Sequence, residues 1–170
     1  AARKVLAEQH PGSPFYAVRG TLGTHRHAEL YDMLQRVKRG EEFLIPHFDK
    51  SLHAGKGDIV DRVTKIKGRQ DFFLFEGWSL FAPAISVDEF LGIMEKDEYV
   101  RDLFDQLDPE RKYFIDVLEY AKAYQKIWDL ADSMVILEAE DIKLVTQWRL
   151  NQEETTKKQS AGKGMTPDEV

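Results

Sequence analysis

From Asp71 to Phe75 the chain reads DFFLF, and from Ser133 to Leu137 it reads SMVIL. Nearly continuous apolar runs of strand length predict strands covered on both faces. Elsewhere the apolar positions recur with a helical period. The opening residues, ARKVLAEQ, are good helix formers. Thr24 can cap a helix running to about Arg39, in which Leu30, Leu34 and Val37 share a face and Gly40 provides the stop. Short helices are predicted from Asp88 to about Glu95 and near Tyr99 to Gln106. Asp108 followed by Pro109 announces a long helix to about Leu130, with Tyr113, Val117, Tyr120 and Tyr124 in one stripe and Ile115, Leu118 and Ile127 beside it. A last amphipathic helix is expected from Asp141 to about Lys158, with Ile142, Val145 and Trp148 inward. Strand, long helix, strand, helix is the rhythm of an α/β open sheet with helices on its faces, where ligands collect beyond the carboxyl ends of the strands.

One stretch fits neither period. After a short extended piece at Glu42 to Pro46, IPHFDKSLHAGKGD (residues 45–58) gathers Asp49, Lys50, Ser51, His53, Lys56 and Asp58 around Gly55 and Gly57. Its backbone N–H groups, unshielded by bulky side chains, suit an anion cradle, and Lys50 suits phosphoryl oxygens or a substrate carboxylate. A polar surface loop has the same composition. A G-K-G core is present at 55–57, but not the G-x-x-x-x-G-K-[ST] phosphate loop. Glu76 and Gly77 follow DFFLF directly, where an acid can serve a magnesium ion or a substrate hydroxyl, or simply face solvent at a turn. Trp78 is either a pocket wall or packing. Arg149, Gln152 and the later Lys157, Lys158 and Lys163 accompany a helix that passes into a glycine-bearing polar segment, which fits a cover over phosphates and equally a solvated helix end.

Composition narrows the classes. The 170 residues fit one domain, and the formal net charge of -6 argues against nucleic-acid or anionic-membrane binding as the main activity. Without cysteine there is no disulfide or thiolate chemistry. His25 and His27 stand two apart and no H-E-x-x-H occurs, so a zinc site is not expected. No apolar run reaches membrane-spanning length and no signal-peptide pattern opens the chain. The helix already in progress at the start and the capping box of Thr166, Pro167 and Glu169 near the end suggest a piece of something longer.

RGTLGTH (19–25), IPHFDKSLHAGKGD (45–58), FEGW (75–78), IWDLAD (127–132), WRLNQE (148–153) and GKGMTPDEV (162–170), in this order, resemble D-glycerate 3-kinase and its relatives among the P-loop kinases, which include phosphoribulokinase, uridine kinase and pantothenate kinase. The resemblance covers nearly the whole chain. It implies a P-loop kinase-like parallel sheet with helices on both faces, incomplete at both ends because the phosphate-loop portion would precede Ala1. It implies one partial domain over 1–170, a substrate and phosphate region at 45–62 and a lid-like segment at 149–165. ATP and Mg2+ are the implied cofactors, and phosphoryl transfer to the primary hydroxyl of D-glycerate or a similar small hydroxy acid is the implied reaction. Asp49, Lys50, Ser51, His53, Asp58, Asp61, Arg62 and Trp78 would lie on the acceptor side. Glu76 would support magnesium or the acceptor hydroxyl, and Arg149, Lys157 and Lys163 would cover the nucleotide. The base would be an acid ahead of Ala1, with Glu76 or Asp49 as fallbacks. The implied partners are a small-molecule substrate and the remainder of the same polypeptide, with no nucleic acid or membrane, in the cytoplasm or, in a plant, the chloroplast. The remaining alternatives are a kinase of another metabolite, such as a nucleoside or pantothenate, and a catalytically inactive kinase-like interaction domain.

Overall fold

The computed structural model describes residues 2–17, 20–49, 52 and 57–159. Two compact units are present, one running to Ala131 and the other from Asp132 onward. In chain order the elements are α1 (Ala2–Gln9), α2 (Pro14–Ala17), α3 (His27–Arg39), β1 (Phe43–Asp49), β2 (Asp58–Ile66), α4 (Val87–Lys96), α5 (Glu98–Leu107), α6 (Phe114–Trp128) and α7 (Ile142–Gln159).

The core of the first unit forms where α3 and α6 meet. Leu34 contributes from α3, Ala121, Tyr124, Ile127 and Trp128 contribute from α6, and Leu22 comes from the loop ahead of α3. Residues 73–84 lay Phe73, Phe75, Leu80 and Phe81 over that contact. α3 ends as its sequence predicts: Gly40 adopts φ 69°, and its N–H and that of Glu41 donate to the carbonyls of Val37 and Arg36 at 3.0 and 2.9 Å. Its start differs, because Arg26 occupies the N-cap position and the Thr24 hydroxyl donates instead to the Thr21 carbonyl at 2.6 Å.

Two short helices follow. α4 opens on a capping box in which Ser86 Oγ accepts the Glu89 N–H at 3.1 Å and the Glu89 carboxylate accepts the Ser86 N–H at 2.7 Å. Asp97 caps α5 by accepting the Val100 N–H at 3.0 Å. Phe90 of α4 reaches Phe104 of α5 and Phe114 of α6, with ring centroids 4.9 and 5.0 Å apart. Asp108 is not the N-cap of the long helix: the helix begins at Phe114 with Tyr113 at the N-cap position, because residues 109–113 form a turn with Arg111 at φ 55°. The buried carboxylate spans that turn and accepts the N–H groups of Lys112, Tyr113 and Phe114 at 3.0, 2.8 and 2.9 Å.

The predicted sheet is overturned. Among the described residues the only sheet is two-stranded and antiparallel, β1 against β2 and flanked by helices, not a parallel sheet with helices on both faces. Neither DFFLF nor SMVIL becomes a strand. A strand exists only where another backbone takes up its N–H and C=O groups, and no described segment does so for these two runs. In the first run Phe73 and Phe75 pack on the core, whereas Phe72 and Leu74 are 81% and 75% exposed. In the second run Val135, Ile136 and Leu137 are 84%, 74% and 93% exposed. The apolar character therefore reports surface available for burial, not strand pairing.

In the second unit α7 forms over the expected span, but Val145 and Trp148 are exposed instead of turned inward. The side chain of Ile142 and residues 160–170, with the capping box expected near Thr166, lie outside the described residues. Among the described residues no helix is long and apolar enough to cross a membrane.

Candidate functional site

The segment that fitted neither period enters a hairpin in its described residues, with 45–49 in β1 and Asp58 opening β2. Phe43 at the base of β1 is buried and meets Phe73 edge to face, with ring centroids 5.9 Å apart. From there inward and outward positions alternate up to Asp49. Pro46 lacks the N–H that a ladder needs, and the pairing changes register at that point. Pro46 pairs with Val63 but His47 pairs with Val60, leaving Asp61 and Arg62 as a bulge of β2 without partners on β1. Both of these residues are exposed. His47 Nε2 lies 2.7 Å from the Thr64 hydroxyl and ties the strands beside the bulge.

At the tip the last register pair is Asp49 opposite Asp58, both half-buried. One Asp58 oxygen accepts the N–H of Ile59 at 2.8 Å. Two carboxylates directly opposite one another repel, so this end of the hairpin favours a cation or a hydrogen-bond donor between or beside them. Gly57 closes the connection. Its N–H donates to the Leu52 carbonyl at 2.8 Å, its φ is +71°, and a Cβ there would stand 2.4 Å from the Phe48 ring. Glycine is therefore required by both backbone conformation and space. Lys50, Ser51 and His53, expected to complete this site, lie outside the described residues.

A second cluster gathers around the loop ahead of α3. Gly20 and Gly23 adopt φ +107° and +94°, and the Gly20 N–H donates to the Thr24 hydroxyl at 3.2 Å. Tyr124, fully buried on α6, accepts the Gly23 N–H at 3.0 Å and lies 3.0 Å from His25 Nδ1. Burial and the neighbouring His27 push the His25 pKa below the ordinary imidazole value. Burial raises that of the Tyr124 hydroxyl. Trp78 is 83% exposed, yet its ring passes 3.3 Å from where a Cβ on Gly20 would be. FEGW and RGTLGTH, far apart in sequence, are thus brought into contact. Glu76 is exposed just before Trp78, and among the described residues no hydrogen bond or ion pair joins it to Asp49 or Asp58.

The two clusters share a support, because Phe43 at the hairpin base packs on Phe73, three residues ahead of Glu76. The hairpin tip projects from that base by about 20 Å at ~3.4 Å per residue. In the second unit the Arg149 guanidinium donates to Gln152 Oε1 at 2.6 Å. The side chain of Lys157 and the whole of Lys163 lie outside the described residues. Among the described residues no three histidines, aspartates or glutamates come together as a metal site. Sequence reasoning missed His25 and Tyr124, because their meeting depends on a contact across 99 positions. The glycines at 20 and 23 were the only local sign of an unusual loop.

No family model matches the chain. The chain is 33% identical over 171 residues to an uncharacterized kinase, mug58, of Schizosaccharomyces pombe, with 97% of this chain and 58% of that protein covered. The chloroplastic D-glycerate 3-kinase of Arabidopsis thaliana is 30% identical over 173 residues, with 97% of this chain and 34% of that protein covered. Among solved structures, D-glycerate 3-kinase from Cryptococcus neoformans superposes with a TM-score of 0.86 at 28% identity, over 98% of this chain and 58% of that one. The chain is homologous to kinases of the glycerate-kinase type, and it spans about half the length of the curated relatives it matches.

Proposed function

We propose that this chain carries the acceptor side of an ATP-dependent kinase that transfers the γ-phosphoryl group to the primary hydroxyl of D-glycerate or a similar small hydroxy acid. The observation that carries this reading is the near-complete superposition on a D-glycerate 3-kinase, extending over 98% of the chain at a TM-score of 0.86. The geometry supports it in two places. The hairpin tip offers opposed carboxylates beside a glycine-bearing connection, and the loop at 20–25 packs against Trp78.

In this reading Asp49, opposite Asp58 on the hairpin, orients the acceptor hydroxyl. A lysine such as Lys50 suits charge developing on the transferred oxygens. Ser51, His53 and Arg62 suit acceptor contacts at the hairpin, Trp78 suits a contact at the loop 20–25, and Arg149, Lys157 and Lys163 suit a nucleotide cover. ATP supplies the phosphoryl group, and Mg2+, when bound, offsets phosphate charge. Glu76 suits that ion, because magnesium is usually held by one or two carboxylates together with phosphates, not by an all-protein cage. A single exposed carboxylate is compatible with such a role.

Coupled measurement of ATP consumption by the full polypeptide, with D-glycerate, L-glycerate, pantothenate and uridine offered in parallel, tests the reading. Turnover confined to D-glycerate and giving the 3-phosphate is the expected result. Turnover with uridine or pantothenate alone would move the protein to another kinase class, and ATP binding without turnover on any acceptor would leave an inactive kinase-like domain.

A further inference from the structure

The histidine of the loop at 20–25 is held more elaborately than packing requires. Tyr124 comes from the C-terminal part of α6 and is 2% exposed, so its position is fixed by the core. A phenol hydroxyl has one hydrogen to donate. With the Gly23 N–H donating to the oxygen at 3.0 Å, that hydrogen is available to His25 Nδ1, also at 3.0 Å. No other acceptor for that hydrogen is within reach among the described residues, so Nδ1 is assigned as its acceptor, which places the ring proton on Nε2. The loop is shaped around this arrangement. A Cβ on Gly23 would stand 2.7 Å from the Tyr120 ring, so the N–H that occupies Tyr124 comes from a position only glycine fills.

With Nδ1 facing the buried hydroxyl, the Nε2–H edge is on the side of the ring away from Tyr124, and His25 is half-buried, not enclosed. The loop carrying it closes through Thr24 onto Gly20, against which Trp78 lies. A directed, uncharged N–H donor is therefore presented by a loop in contact with a residue of the acceptor side.

We propose that His25 is an acceptor-binding residue whose Nε2–H donates to the carboxylate of the hydroxy-acid substrate, and that Tyr124 is the positioning residue that selects its tautomer. This rests on the kinase reading above. A lysine supplies charge on a flexible stem, whereas an imidazole held at Nδ1 supplies direction. A fixed donor discriminates a correctly placed carboxylate from one displaced by the wrong stereochemistry or by an extra carbon. Loss of a hydrogen bond to a charged ligand group weakens binding roughly tenfold or more.

The test is titration of the full polypeptide with D-glycerate while the imidazole nitrogens and the tryptophan indoles are followed by 15N NMR, together with steady-state kinetics of His25→Asn, His25→Gln and Tyr124→Phe. The expected result is an Nε2–H tautomer for His25 in the free protein and a D-glycerate-dependent shift of its Nε2. His25→Asn should raise KM for D-glycerate roughly tenfold with KM for ATP unchanged, and His25→Gln, whose amide nitrogen reaches the Nε2 position, should recover part of that loss. Tyr124→Phe should mix the two tautomers; should it fail to fold, the tautomer of the unaltered protein still decides the positioning role. A Trp78 signal that moves with D-glycerate while His25 stays still would overturn this inference and leave the kinase reading intact. If no signal moves and no acceptor is phosphorylated, both fall together. An Nδ1–H tautomer in the free protein overturns the role of Tyr124.

Discussion

Asp49 and Asp58 face each other across the last register pair of the β1–β2 hairpin. Like charges directly opposite are unfavourable, and this pair persists beside the glycine-bearing connection. Asp49→Asn keeps the shape and removes one charge. We expect kcat/KM for D-glycerate to fall at least tenfold, about 1.4 kcal/mol of transition-state stabilisation, while the melting temperature moves by no more than about 4 °C. Unchanged kinetics would remove the hairpin tip from the acceptor site.

Gly57→Ala should open the tip without unfolding the protein. The added methyl meets the Phe48 ring at 2.4 Å and the Asp49 carbonyl oxygen at 3.1 Å, at a φ of +71°. Overpacking of this kind costs about 1–3 kcal/mol. Because the tip lies beyond the helix contacts, amide hydrogen exchange should accelerate near Ile59 and Val60 and remain unchanged in the middle of α6. Equal acceleration in α6 would show that the hairpin and the core open together.

Asp108 sets where α6 begins. One of its oxygens serves Lys112 and the other serves Tyr113 and Phe114. Asp108→Ala orphans all three donors at a buried position, and urea unfolding should show a loss of about 2–4 kcal/mol. Asp108→Asn keeps one acceptor oxygen and should lose roughly half as much. A cost for Ala below about 0.5 kcal/mol would mean that water replaces the carboxylate.

The same residue shows how far the sequence could be read. Asp-Pro is a local signal for a helix start and puts the cap at Asp108, whereas Tyr113 holds the N-cap position. It could not show that the chain first turns through Arg111 at φ 55° before the helix begins. α1, α4, α5 and α7 were legible because apolar period and caps act within a few residues. β2 was not, because DIVDRVTKI carries charges at Asp58, Asp61, Arg62 and Lys65, and its bulge interrupts the alternation. DFFLF and SMVIL were read as strands because apolar runs resemble buried strands, yet pairing is a property of neighbours, not of the run itself. At the proposed site, Asp49 and Glu76 stand out from residue type and position, whereas the roles of Asp58 and Trp78 rest on the family resemblance. His25 does not stand out, because the hydroxyl that orients it comes from Tyr124 on a distant helix.

Tyr16 provides an alkaline test of the packing between α2 and α6. It is fully buried, its hydroxyl has no hydrogen-bond partner among the described residues, and its ring meets His10 and Tyr120 at centroid distances of 5.3 and 6.3 Å. Burial, and then the negative charge of Asp116 and the nearby Tyr120, push its pKa above the ordinary phenol value. The folded state therefore holds this proton more tightly than the unfolded chain does. The resulting stability is fully present below about pH 10, the unfolded phenol value, and is lost as pH rises from there toward the folded value. Tyr16→Phe removes both the titration and the unpaired hydroxyl. Near pH 7 the variant should be at least as stable as the parent, since a buried polar group without a partner is costly. Above about pH 10 it should lose less stability than the parent with each step in pH. Tyr124, whose pKa burial also raises, remains in both proteins and leaves a residual slope that the comparison subtracts. Parallel stability curves for the two proteins across this range would show that the Tyr16 phenol ionises as readily folded as unfolded, and that α2 does not seal it against α6.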